Sequence, residues 1–74
     1  MVTISHTHGL IERAANLDTG ALYAQRLGSS CTIEQQPRTP HDRARVLVFE
    51  AGVLVSGEVD DATRAYWARR LENW

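Results

Sequence analysis

The sequence predicts an α+β domain. A small antiparallel sheet, made of an N-terminal hairpin and a hairpin over 45–59, is covered by two helices, in the order β-β-α-β-β-β-α. Three observations predict it. Residues 45–59 hold the densest β-branched and apolar run, split by Glu50-Ala51-Gly52, which reads as two strands and a tight turn. Residues 2–8 alternate in part, with Val2, Ile4, His6 and His8 on one strand face and Thr3, Ser5 and Thr7 on the other. Two further segments have helical spacing with capping residues at their ends.

Taken in order, Gly9 breaks the first strand, and 10–14 form a shorter second one. Asn16 or Asp18 caps a helix over about 19–27, with Leu17, Ala21 and Ala24 on one stripe, Leu27 at its edge and Gly28 as the αL residue that ends it. Gly20 weakens its first turn by roughly 1 kcal/mol relative to Ala. Residues 31–35 make a short strand ended by Pro37.

After Pro37-Arg38-Thr39-Pro40 two readings compete. In one, Thr39 and Pro40 start a helix whose buried stripe is Ala44, Leu47, Val48 and Ala51. In the other, 46–49 are a strand and Gly52 takes positive φ in a hairpin loop. The helix leaves Val46 and Phe49 off its stripe and crowds β-branched residues into a few turns, so the strand is favoured. Asp60 or Asp61 caps the final helix, which runs to about Asn73, with Trp67, Leu71 and Trp74 on one stripe. Trp67 and Leu71 are expected to pack on a sheet face built by Val53, Val55 and Ile4.

The 74 residues make one domain, and at this size folding buries only about 60% of the chain's surface. Cys31 is the sole cysteine, so no intrachain disulfide forms. That usage fits a reducing, cytoplasmic setting. No apolar run reaches the ~18 residues of a membrane span, and the N-terminus has neither the basic region nor the apolar core of a secretory signal. The net charge of −1 gives no broad attraction to nucleic acid or anionic lipid. All eight basic residues are arginine, which makes bidentate pairs and stacks on aromatic rings where lysine does not.

Several short words line up along the chain: Thr3-Ile4-Ser5-His6-Thr7-His8, Gly9-Leu10-Ile11-Glu12, Leu27-Gly28, Pro40-His41-Asp42-Arg43-Ala44, and Ala51-Gly52 through Glu58-Val59-Asp60-Asp61. In them the chain resembles the N-terminal module of an uncharacterised bacterial family, frequent in actinobacteria and their plasmids and phages. That family opens T-I-x-H-T-H and closes A-G-x-x-V-x-x-E-I-D-D. The chain departs from it by lacking tryptophan at 29–34, where the family has a Trp-rich hairpin, and by offering fewer residues between 43 and 52 than the family's helix there needs. The resemblance implies a mobile-element setting and pulls 45–49 back toward helix. It implies no activity and no functional residues.

Candidate chemistry is sparse. His6 and His8, two apart on a strand, can point the same way, but Cys31, His41 and Asp42 are the only plausible further metal donors and none has a ligand spacing. No metal and no cofactor are expected. Ser29, Ser30, Cys31, His41 and Asp42 include the residue types of a catalytic triad without a nucleophile elbow or oxyanion turn, so no catalytic residue is assigned and no enzyme is expected. Glu58, Asp60 and Asp61 are explained by helix capping.

The function read from the sequence is therefore a small non-catalytic protein-binding or regulatory module, phage- or mobile-element-encoded. Its partner-binding residues are Trp74, Arg70 and Tyr66, of types enriched at interface hot spots. Its partner is a host or phage protein or a second copy of the chain. The alternative is an accessory domain that grips nucleic-acid phosphates with Arg38, Arg43 and Arg45. No membrane partner is expected.

Overall fold

The computed structural model describes residues 2–37 and 39–73. Seven elements follow in the order β1 (Val2–His6), β2 (Ile11–Ala14), α1 (Leu17–Leu27), β3 (Cys31–Gln35), β4 (Arg45–Glu50), β5 (Val53–Ser56) and α2 (Asp61–Glu72). The α+β class and this order are those the sequence predicts. All strand pairs are antiparallel, in the spatial order β2-β1-β3-β4-β5. β1 is therefore central to the N-terminal half, flanked by its hairpin partner and by β3, which α1 carries back across one face.

Local chemistry fixes the element ends. Asn16 caps α1 by accepting from the Thr19 N–H at 2.8 Å, and Gly28 ends it at φ 64°. Asp18, the other capping candidate, instead accepts from the Trp67 indole N–H at 2.8 Å and ties α1 to α2. The loop joining β4 and β5 is two residues long, Ala51 at φ 50° and Gly52 at φ 81°. That is the left-handed pair of a primed hairpin turn, whose twist matches the flanking strands. This decides residues 45–49 for strand, against the helix that both the stripe Ala44, Leu47, Val48, Ala51 and the family resemblance suggested. Thr39 and Pro40 start no helix; the segment turns, with the Asp42 N–H donating to the Thr39 carbonyl at 3.1 Å.

One continuous core lies between the sheet and the helices. Val2, Ile4, Cys31, Ile33, Leu47 and Phe49 point inward from the strands, and Leu17, Ala21, Leu22, Ala24 and Trp67 meet them from the helices. Gly20 is part of this packing. A Cβ there would lie 3.3 Å from the Ile33 Cγ2, so the residue that weakens the helix also lets it approach β3 closely.

The expected packing of α2 needs correction. Trp67 and Leu71 do not rest on Val53 and Val55, which are 63% and 52% exposed. Trp67 packs near Phe49, ring centroids 6.5 Å apart, and α2 lies chiefly on α1. The cause is the loop length. A loop of Ala51-Gly52, rather than Glu50-Ala51-Gly52, pairs inward-facing Phe49 with Leu54, so Leu54 is the residue β5 turns inward; a bulge follows, where Val48 pairs with Ser56. β5 also stops at Ser56 rather than continuing to Val59, because Gly57 turns the chain at φ 117°. Trp74, third on the expected stripe, lies outside the described residues.

Candidate protein-interaction surface

Side chains alternate across a strand, so register and burial together sort the sheet into two faces. The inner rows are Ile4, Glu12, Ile33, Leu47 and His6, Cys31, Phe49, Leu54. The outer rows are Arg13, Thr3, Glu34, Val46; Ile11, Ser5, Thr32, Val48, Ser56; and Glu50, Val53. Both helices lie on the inner side, since α1 and Trp67 pack against the inner rows. Among the described residues nothing covers the outer face.

The two sides differ in chemistry. The helix layer exposes Asp18, Arg26, Asp61, Arg64, Arg69, Arg70 and Glu72. The outer sheet face is mostly β-branched and hydroxyl side chains, with Ile11 at 65% and Val46 at 41% exposure. Its middle row, from Ile11 to Ser56, has no charge across five strands. Loss of charge from the centre of a surface is the compositional mark of protein interfaces. The sequence did not single out this face, although the Thr3, Ser5, Thr7 stripe was part of its pattern.

Of the residues expected to bind a partner, Tyr66 is 43% exposed and Arg70 is exposed, both on α2. They belong to the helix layer and do not join the outer face; Trp74 lies outside the described residues. Arg43 and Arg45, the alternative nucleic-acid contacts, are exposed beside the loop before β4, lining a cleft with Gln35, Gln36, Pro37 and Asp42; Arg38 lies outside the described residues. A guanidinium N–H of Arg45 donates to the Glu58 carbonyl at 3.5 Å, and Asp42 sits in the same cleft. The positive charge there is thus interleaved with carboxylate and carbonyl oxygen.

The histidines find a different arrangement from a paired ligand set. The His6 and His8 rings stack, centroids 5.2 Å apart, and His6 Nε2 lies 2.8 Å from the Glu12 Oε2, pinning β1 to β2. Glu12 was not singled out in the sequence; it opposes Ile4 in register, on the inner face beside His6. Among the described residues no group of three or more His, Cys, Asp or Glu could hold a metal ion. Burial pushes the Cys31 thiol above its ordinary value, and the Glu12 carboxylate adds to this. A thiol held protonated is a poor nucleophile. Four surface clefts measure 240–360 Å³, the lower edge of small-molecule sites, and none is lined by a described histidine or by Cys31. Among the described residues no helix is long and apolar enough to cross a membrane.

Comparison with protein-family models, with curated proteins and with solved structures finds no match to this chain.

Proposed function

We propose that this chain is a small non-catalytic protein-binding module, with the outer sheet face as its principal contact surface. The observation that supports this reading is the uncharged row Ile11, Ser5, Thr32, Val48, Ser56 on a sheet whose other face carries both helices. Tyr66 and Arg70 on α2 are proposed as contacts of the helix layer; Trp74, proposed with them, lies outside the described residues. The partner class is a host or phage protein or a second copy of the chain, in a cytoplasmic setting. The short words shared with the plasmid- and phage-borne family support that setting.

The alternative, phosphate binding by Arg38, Arg43 and Arg45, is less favoured because Asp42 lines the same cleft as Arg43 and Arg45 and the Glu58 carbonyl accepts from Arg45. Immobilised wild type, Val48→Asp, Tyr66→Ala and Arg43→Glu/Arg45→Glu chains, exposed in parallel to host extract and to generic duplex DNA, separate the readings. Loss of a protein partner with Val48→Asp supports the sheet face. Salt-sensitive DNA binding lost only with the arginine pair would replace it with the alternative.

A further inference from the structure

We infer that the outer sheet face is occupied by a second copy of this chain, sheet on sheet about a twofold axis. The inference rests on the proposed protein-binding role of that face and names its occupant. Area is the first argument. A folded monomer of 8.3 kDa ordinarily exposes about 4,600 Å², whereas this chain exposes 5251 Å². The molecule is a slab of 37 × 31 × 21 Å, and a stable interface takes roughly 800 Å² per partner.

Symmetry is the second. In a twofold dimer each residue on the axis meets its own copy, so an axial residue with a charge would meet the same charge. The row Ile11, Ser5, Thr32, Val48, Ser56 runs across all five strands without one. An axis along it lays apolar and hydroxyl side chains on their own copies. It also moves Arg13 and Glu34, in the row on one side, and Glu50, in the row on the other, away from their own copies to the opposite side of the axis. Two sheets packed this way keep their strands nearly aligned at about 10 Å separation.

Edge pairing is the poorer route to a dimer. Both edge strands, β2 and β5, have only four residues, and β5 is bulged, features that blunt an edge.

The test is charge complementation followed by sedimentation equilibrium of the full chain. Wild type is expected to dimerise with rising concentration. Val48→Asp and Val48→Lys, each folded by circular dichroism, are expected to be monomers alone, because each sets like charges on the axis. Their equimolar mixture is expected to recover a heterodimer at least tenfold tighter than either variant with itself. Since Val48 is half-buried, the exposed Ser5→Asp and Ser5→Lys pair repeats the test should either Val48 variant unfold.

A wild type that stays monomeric at millimolar concentration overturns the inference, as does a wild-type dimer indifferent to both variant pairs. In the monomeric case, loss of a captured host protein with Val48→Asp keeps the broader protein-binding reading. Unchanged capture removes that reading too.

Discussion

At the scale of single residues, two positions connect local chemistry to measurable stability. Asp60 caps α2 by accepting from the Thr63 N–H at 2.8 Å. Thr63's side chain and then its backbone hold the Asp60 carboxyl below its ordinary 3.8; a small desolvation opposes them, and Arg45 adds a weaker pull. A depressed carboxylate contributes stability that is present above the unfolded value and is lost as pH falls through the folded one. The thermal midpoint should therefore drop as pH goes below about 3.8. In Asp60→Asn, which caps without a charge, that part of the drop should vanish. Gly52 is the second position. At φ 81° it already disfavours a side chain, and a Cβ would sit 2.9 Å from the Gly28 Cα, backbone that cannot swing aside. Gly52→Ala should cost more than about 1 kcal/mol, measured by urea unfolding. Ala51→Asn in the same turn should gain a few tenths, because Asn tolerates the left-handed region better.

At the scale of elements, α2 is held by very little. Trp67 is its one fully buried residue, and Thr63 and Leu71 are half-covered. Removing the Trp67 ring leaves a cavity against Phe49 and costs roughly 3–5 kcal/mol, as much as a core this small supplies in total. Trp67→Ala should unfold at room temperature by circular dichroism. Trp67→Phe, which keeps most of the packing but frees exposed Asp18, should cost less, about 1–2 kcal/mol.

The elements also explain what the sequence made legible. Caps and turns could be read because their chemistry is local: Asn16 before a stripe, Gly28 after it, Ala51-Gly52 between two β-branched runs. The β5 packing could not, because it depends on one residue of loop length: with Glu50 in the strand rather than the loop, Phe49 pairs with Leu54, and Val53 and Val55 face outward. Gly20 read as a defect, since only the distance to Ile33 shows what its missing side chain permits. The pairing of β1 with β3 bridges more than twenty residues and leaves no local signal. His6 with Glu12 was hidden for the same reason, the partner being set by hairpin register.

At the scale of the whole molecule, the chain is two layers thick, helices on one face of a sheet and nothing on the other among the described residues. Sheets of this kind can face water when the outer side is polar. Here the outer side is polar chiefly through hydroxyl groups, and its charged residues Arg13, Glu34 and Glu50 stand off the middle row. That asymmetry is the basis for the proposed binding role and for a second copy as the proposed occupant of the face opposite Tyr66 and Arg70.

The most direct measurement is a concentration series of amide nitrogen–proton spectra on the full chain, from tens of micromolar to about a millimolar, a range that brackets weak self-association. The account predicts that shift changes concentrate at Ser5, Ile11, Thr32, Val48 and Ser56 and leave Tyr66, Arg70 and Arg43 still. Changes confined to α2 or to the loop before β4, or spectra that do not move at all, would contradict it.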